Sequence, residues 1–125
     1  VHLFGIDAPD LAQTCTLNGI EYACGLLAHA YLTTLTAGRP MLCHVGEVDE
    51  DERPFGRCGR SDGVGRDFAA GAPVVNEQMV AAGWALANRD QTTDFVEAEN
   101  DARSNKRGMW AGEFVAPAEW RRGAR

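Results

Sequence analysis

The segment VHLFGIDAPD, residues 1–10, decides the fold of this chain. Its first six residues are mostly apolar, β-branched or aromatic, which predicts a strand over residues 1–6. Pro9 ends any regular element, because its ring fixes one backbone angle and removes a hydrogen-bond donor. The segment therefore predicts a strand that runs into a loop carrying two carboxylates, Asp7 and Asp10.

Hydrophobic periodicity predicts the elements that follow this segment. Alanines and leucines at helical spacing favour a helix over residues 22–36, and Gly38 and Pro40 supply its end. Residues 40–48 and 54–58 are typical of two strands joined by a solvated acidic turn. The acidic residues of this region are Glu47, Asp49, Glu50, Asp51 and Glu52.

The second half of the chain is less regular. Residues 59–71 are rich in glycine and lack periodicity, so we expect an irregular, flexible excursion. Asn76 is expected to cap a short helix that continues to residue 82 and ends at a glycine. A longer helix is expected to begin at residue 93 or 94 and to end at residue 107. The aromatic residues after it are expected to pack back on the domain.

Composition bounds the class of protein and its partners. The chain of 125 residues is 45% hydrophobic and 24% charged, which fits one soluble globular domain. Twelve basic against 18 acidic residues give a net charge of −6, so the average surface repels polyanions and disfavours nucleic acid as a partner. The sequence contains no apolar run long enough for a membrane span.

Four cysteines, an even number in a small domain, favour disulfides. Three pairings are possible in principle, and we favour Cys15 with Cys24 and Cys43 with Cys58. The first would close the loop before the first helix, and the second would bridge neighbouring strands. This cysteine usage predicts an extracytoplasmic protein, periplasmic or secreted. The alternative is a cytoplasmic protein with four buried free thiols.

Four stretches in this order resemble the staphylococcal-nuclease-like (thermonuclease) family. GIDAPD at residues 5–10 is similar to the family's first motif, and residues 40–58 are similar to its strand, turn and strand. Residues 79–85 look like its second helix. The last stretch, residues 108–121, resembles the tail of exported bacterial members, some of which are named succinoglycan biosynthesis proteins.

The resemblance implies an α+β fold, namely an OB-fold barrel of five strands with three helices. The family carries its first two strands and one calcium-binding aspartate in a hairpin that the given chain does not contain. Residues 1–125 are therefore expected to form a single domain that is truncated at its N-terminus relative to the family, or one whose barrel closes differently.

The family chemistry is Ca²⁺-dependent cleavage of DNA and RNA, and the resemblance assigns roles near the first motif. Asp7 matches a calcium-binding aspartate, and the carbonyl of Ala8 falls where a backbone oxygen binds the same ion. Asp10 stands in place of the general-base glutamate, one methylene shorter, and could instead be an ordinary turn aspartate. His2 replaces the first phosphate-binding arginine, for which a plain strand residue is the alternative.

The second phosphate-binding arginine depends on the alignment register. Aligned without gaps between Cys43 and Cys58, the family's arginine falls on Arg53. The local string FGR at residues 55–57 resembles the motif better and nominates Arg57 instead. We prefer Arg53, because a disulfide between the two strands would fix their register. On this choice the alternative is a solvated turn arginine that pairs with acidic neighbours.

These substitutions predict a nuclease domain whose activity is weak or lost. No aromatic residue falls at residues 88–91, where the family contacts nucleotides, and Arg89 is the nearest useful side chain. The alternative is a non-catalytic module that binds a polysaccharide or a protein in exopolysaccharide (succinoglycan) biosynthesis. A purely structural, disulfide-stapled domain is the third possibility.

Overall fold

The computed structural model describes residues 2–124, without the side chain of Glu47. Val1, part of the first predicted strand, lies outside the described residues. The elements in chain order are β1 (His2–Leu3), β2 (Ile6–Asp7), β3 (Cys15–Leu17), β4 (Ile20–Tyr22), α1 (Cys24–Thr36), β5 (Met41–Val48), β6 (Pro54–Arg60), α2 (Val75–Ala81), β7 (Leu86–Ala87), α3 (Val96–Ser104), a 3₁₀ turn (Gly108–Ala111) and α4 (Pro117–Arg121).

Within residues 2–124 the strands form three small sheets. The main sheet has the order β1-β6-β5, in which β5 and β6 are antiparallel and β1 lies parallel to β6. Two antiparallel pairs, β2 with β7 and β3 with β4, stand beside it. The predicted α+β class is confirmed, and the arrangement is consistent with an OB-like nuclease fold. The described residues hold four α-helices where three were expected, because the tail forms α4.

The first predicted strand is interrupted at Gly5, which corrects the single strand expected over residues 1–6. Gly5 has a positive φ of 78°, a conformation that favours glycine. A Cβ there would lie 2.6 Å from the side chain of Thr92 and 2.7 Å from the Phe95 ring. The chain therefore turns at Gly5 and changes partner, from β6 on one side to β7 on the other.

The hairpin β3–β4 precedes the first helix and was not predicted. Its turn residues Asn18 and Gly19 both have positive φ, 52° and 78°, as a tight two-residue hairpin turn requires. The helix then begins at Cys24, two residues later than expected. Cys15 is bonded to Cys24 and Cys43 to Cys58, so both favoured disulfides are confirmed.

Cys43 and Cys58 face each other across the β5–β6 ladder. This ladder confirms the two predicted strands, although β6 continues to Arg60. The loop that follows contains no helix or strand over residues 61–74. It folds back on the sheet through Phe68, whose ring stacks on that of His44 at 4.4 Å.

The main core lies between the sheets and the first three helices. It contains Ile6, Ala28, Met79, Val80, Ala85 and Phe95. A smaller cluster around the first disulfide includes Met109, which is fully buried.

Asn76 is not the helix cap that we predicted. It is fully buried inside α2, and its side-chain oxygen accepts the Cys58 N–H at 3.0 Å. Its amide nitrogen donates to the carbonyls of Phe4, at 2.8 Å, and Gly56, at 3.0 Å. Burial of backbone groups between β1 and β6 demands such partners. The predicted helix end is confirmed, because Gly83 has a φ of 81°.

Helix α3 is shorter at both ends than the predicted helix. It begins at Val96 because Thr93 and Asp94 lie in a turn, in which Thr92 Oγ1 accepts the Asp94 N–H at 3.2 Å. It ends at Ser104, before Lys106 takes a positive φ of 53°. The predicted packing of the tail on the domain is confirmed at Phe114, which packs against the buried cluster around the first disulfide.

Candidate active site

Asp7 and Asp10 lie on either side of Pro9, at the point where β2 ends. Asp7 is fixed by the pairing of β2 with Leu86 of β7. Asp10 is fixed through its backbone, because its carbonyl accepts the Gln13 N–H at 2.9 Å. Gln13 is fully buried, so the loop has little freedom at this point.

Arg121 joins the two carboxylates. One terminal nitrogen lies 2.6 Å from Asp7 Oδ1, and the other lies 3.0 Å from Asp10 Oδ1. Arg121 was not predicted as a site residue, and it lies more than 110 residues from its partners. Its only sequence signal is its place at the end of the tail motif. The structure thus brings the first and last motifs of the chain to one point.

The cluster of Arg121, Asp7 and Asp10 is partly exposed to solvent, and its electrostatics depend on this exposure. Burial alone would lower the pKa of Arg121, but hydrogen bonds and attraction from Asp7 and Asp10 outweigh it and hold this pKa above its ordinary value. The Arg121 side chain is 40% exposed, and those of Asp7 and Asp10 are 25% and 43% exposed. Solvent therefore reaches the cluster, which carries two negative charges and one positive charge.

His2 and Arg53 meet at Asp49, in the turn between β5 and β6. Arg53 Nε lies 2.8 Å from Asp49 Oδ2, and a terminal nitrogen of Arg53 lies 3.2 Å from Asp51. His2 Nε2 lies 4.0 Å from the same Asp49 oxygen. These contacts match the alternative in which Arg53 is a turn arginine paired with acidic neighbours.

The Asp49 carboxylate organises this turn. It accepts the backbone N–H groups of Asp51, at 2.9 Å, and Arg53, at 2.8 Å. Desolvation raises the pKa of Asp49, but these backbone hydrogen bonds and the charge of Arg53 bring it below its ordinary value.

Arg57 occupies a different environment, opposite His44 on the β5–β6 ladder. Its guanidinium lies 5.2 Å from the Phe4 ring centre and 5.4 Å from that of Phe95. A terminal nitrogen lies 2.7 Å from Asp94. Arg57 also lines an open groove of about 290 Å³, with Phe4, His44, Val45, Gly46, Phe55 and Gly56. The rings of Phe4, Phe55 and His44 thus line this groove.

The calcium ligands are the part of the predicted site that the geometry supports least. Calcium takes six to eight oxygens in proteins, water included. Asp7, Asp10 and the carbonyl of Ala8 are hard oxygen donors of the right kind. Among residues 2–124, however, no three or more His, Cys, Asp or Glu side chains form a group that could hold a metal ion. Water would have to complete the shell, and the role of Ala8 stays a prediction.

Arg89, the basic residue noted in the predicted nucleotide-contacting stretch, pairs with Glu99. Its guanidinium lies 3.0 Å from the buried carboxylate of Glu99, which also accepts the Ala87 N–H at 2.6 Å. Arg89 therefore neutralises a buried charge between β7 and α3.

In the described part of the chain, no helix is long and apolar enough to cross a membrane.

The chain is similar to known proteins over most of its length. Residues 1–112 match the family described as staphylococcal nuclease homologue. The chain is 32% identical over its full length to a protein of Oryza sativa subsp. japonica, "Probable staphylococcal-like nuclease CAN1", and covers 33% of that protein. It is 30% identical over 97% of its length to an "Uncharacterized endonuclease" of Escherichia coli O157:H7, of which it covers 69%. The chain thus spans about a third of its rice relative.

Proposed function

Because the chain belongs to the staphylococcal nuclease family, we propose that it hydrolyses phosphodiester bonds of DNA or RNA. The observation that carries the proposal is the meeting of Asp7, Asp10 and Arg121 at an exposed point where β2 ends. Carboxylates beside a guanidinium combine a base with a positive charge, which phosphodiester hydrolysis requires. The names of the rice and Escherichia coli relatives point to the same class of reaction.

The predicted site residues other than His2 each have a role in the proposed reaction. Asp10 accepts a proton from the attacking water, and Asp7 with the Ala8 carbonyl would hold Ca²⁺. The ion, when bound, would supply positive charge to the phosphate oxygens. Arg53, or Arg57 in the alternative register, contacts the phosphate. His2 cannot form the bidentate contact of an arginine, because an imidazole lacks the guanidinium fork.

The proposed activity is weak. Aspartate at position 10 is one methylene shorter than the family glutamate, and a displacement of ~1 Å can cost about 100-fold in rate. The net charge of −6 also opposes the approach of nucleic acid. The two disulfides support an extracytoplasmic location, where such bonds persist.

Cleavage of labelled single-stranded DNA and RNA, with Ca²⁺ and with EDTA, tests the proposal. We expect slow, EDTA-sensitive cleavage that Asp10→Asn abolishes, while the exposed control Glu97→Gln leaves it unchanged. The double variant His2→Arg with Asp10→Glu should cleave faster than the original chain. If folded samples of the original chain and the double variant both fail to cleave, nuclease activity is wrong for this chain.

A second function is favoured by one further feature. An open groove of about 520 Å³ beside β3 is lined by Thr14, Cys15, Thr16, Glu21, Glu113, Phe114, Val115 and Trp120. Its aromatic rings and carboxylates suit a sugar or a basic peptide better than a phosphate. A non-catalytic module of exopolysaccharide (succinoglycan) biosynthesis would use this groove. Binding of a purified neutral exopolysaccharide, measured by calorimetry, distinguishes it from the nuclease.

A further inference from the structure

The tail is anchored so that Arg121 has a defined position. Gln13 is buried and donates its side-chain N–H to the Val115 carbonyl at 2.7 Å. Thr16 and Glu113 exchange two backbone hydrogen bonds, of 2.8 and 2.7 Å. The buried Pro117 then begins α4, which ends at Arg121. These contacts tie Glu113 to β3 and Val115 to Gln13, which lies in the loop that carries Asp10.

Gly112 shows how closely the tail lies against β3. A Cβ at this position would be 2.1 Å from the backbone oxygen of Thr16. The tail therefore cannot slide along β3 without losing the two hydrogen bonds next to it. Arg121 therefore lies at the carboxylates because the segment before it is held against β3.

The guanidinium of Arg121 has donors to spare. It carries five N–H groups, and each of its two contacts with Asp7 and Asp10 uses one of them. The side chain is 40% exposed, so solvent reaches the guanidinium. An arginine can hold a carboxylate along one edge and a phosphate along another, because the donors lie in one plane and point outward.

The other candidate arginines pair with carboxylates other than Asp7 and Asp10. Arg53 is bound by Asp49 and Asp51 in the β5–β6 turn, and Arg57 is bound by Asp94. The contacts within residues 2–124 thus place Arg121 at the two carboxylates, where a phosphate attacked by an Asp10-activated water must lie.

We propose that Arg121 is a phosphate-binding residue of this site, which both neutralises Asp7 and Asp10 and donates its remaining N–H groups to a phosphate of the nucleic acid strand. The inference rests on the proposed function for the identity of its ligand. It assigns to the tail motif a role in the site as well as in the fold.

Binding of a fluorescent ten-nucleotide oligothymidylate in EDTA tests the proposal. Anisotropy titrations between about 25 and 200 mM salt give the Kd and its salt dependence. Arg121→Gln should raise the Kd about tenfold and reduce the slope of log K against log salt by about 0.7, the value for one phosphate of a single strand. Arg122→Gln is the matched control, because Arg122 pairs with Glu119 on the same helix. It should change the Kd by less than about twofold.

One further variant and one uncharged oligonucleotide separate the effect of charge from that of the guanidinium shape. Arg121→Lys keeps the charge but not the fork, so it should retain most of the slope and bind a few-fold more weakly. An uncharged methylphosphonate oligonucleotide should bind all variants alike. Circular dichroism and thermal melting check the fold, and Arg121→Lys with Arg122→Lys carries the test if Arg121→Gln does not fold.

The proposal is overturned if the original chain does not bind the oligonucleotide. It is also overturned if Arg121→Gln binds as well or better, or if both glutamine variants lose the same affinity. Because the assay measures binding without cleavage, Arg121-dependent binding by a chain that never cleaves would refute the nuclease function and leave this inference standing.

Discussion

Arg53 and Arg57 lie only four positions apart, yet they are held by carboxylates from different parts of the molecule. Arg53 is fixed within its own turn, by Asp49 and Asp51. Arg57 is fixed by Asp94, which precedes α3, and by two aromatic rings. Local ion pairs between exposed groups are weak, whereas a guanidinium against aromatic rings keeps its orientation. The two arginines can therefore be separated by mutation.

We expect Arg53→Gln to reduce cleavage of single-stranded DNA about 100-fold if Arg53 contacts the phosphate, as the loss of one such donor does in other enzymes. Arg57→Gln should then reduce cleavage only in proportion to its loss of stability. Initial rates and melting temperatures of both variants, with Arg57→Lys as a control for packing, provide the test. A larger loss in Arg57→Gln than in Arg53→Gln, at equal folded fraction, would favour the other alignment register.

The Asp49 carboxylate predicts an acid-sensitive contribution to stability. Its pKa is lowered in the folded protein below the ordinary value near 3.8. A lowered folded pKa stabilises the fold above the unfolded pKa, and the contribution is lost as pH falls through the folded pKa. We expect Asp49→Asn to lower the melting temperature at pH 6 and to flatten its decline below about pH 4.

Melting curves from pH 2.5 to 6 check this, with Asp62→Asn as comparison. Asp62 has a lowered pKa chiefly because it accepts the Val64 N–H and other backbone N–H groups in the glycine-rich loop. Each variant should remove a different part of the fall in melting temperature at acid pH. An unchanged difference between the original chain and Asp49→Asn across this range would contradict the assignment.

At the scale of elements, α1 begins directly against the loop of the proposed base. A Cβ at Gly25 would lie 1.9 Å from the backbone oxygen of Asp10. No side chain can occupy that distance, so either the helix or the Asp10 loop must move. The first turn of α1 thus sets the position of Asp10 through backbone contact.

Gly25→Ala is expected to destabilise the protein by about 1–3 kcal/mol, as overpacking of a dense interior does. It should also lower cleavage beyond the loss of folded protein, because Asp10 moves. Gly46→Ala is the matched control, since a Cβ at Gly46 meets nothing within 4 Å. Chemical denaturation and initial rates measure both effects. Equal stability of the two variants would show that the loop yields without cost.

Local sequence signals predicted the elements that local chemistry controls. The strands β5 and β6, the body of α1, the end of α2 at Gly83 and both disulfides agree with their predictions. The hairpin β3–β4 was missed although Asn18-Gly19 carries a strong turn signal, because the cysteine spacing was interpreted as a plain loop. The prediction for Asn76 was wrong because an asparagine can either cap a helix or, when buried, hydrogen-bond backbone groups of neighbouring strands. The sequence does not distinguish these two roles.

Contacts between distant segments could not be predicted in this way. The turn at Gly5 exists because Thr92 and Phe95 leave no room for a side chain, and neither position is marked by any periodicity. The pairing of Arg121 with Asp7 and Asp10 depends on how the tail crosses β3. The candidate site was therefore half predicted: its carboxylates come from a local motif, and its arginine comes from the tertiary fold.

At the scale of the whole molecule, the two disulfides hold the regions that flank the site. Cys15–Cys24 closes the hairpin between the Asp10 loop and α1, and Cys43–Cys58 fixes the register of the main ladder. They span 9 and 15 residues of chain, respectively. A cross-link that closes a loop of 15 residues restricts the unfolded chain and is worth about 3 kcal/mol, and a shorter loop is worth somewhat less.

Removal of the two disulfides should therefore have separable consequences. We expect Cys43→Ser with Cys58→Ser to lower the free energy of unfolding by about 3 kcal/mol. We expect Cys15→Ser with Cys24→Ser to cost slightly less stability but to weaken oligonucleotide binding more, because this hairpin is paired with the tail through Thr16 and Glu113. Chemical denaturation and anisotropy titrations of the two double variants measure these quantities. If binding falls equally in both variants at equal folded fraction, the hairpin does not hold the tail in place, and the position of Arg121 must depend on Gln13 and α4 alone.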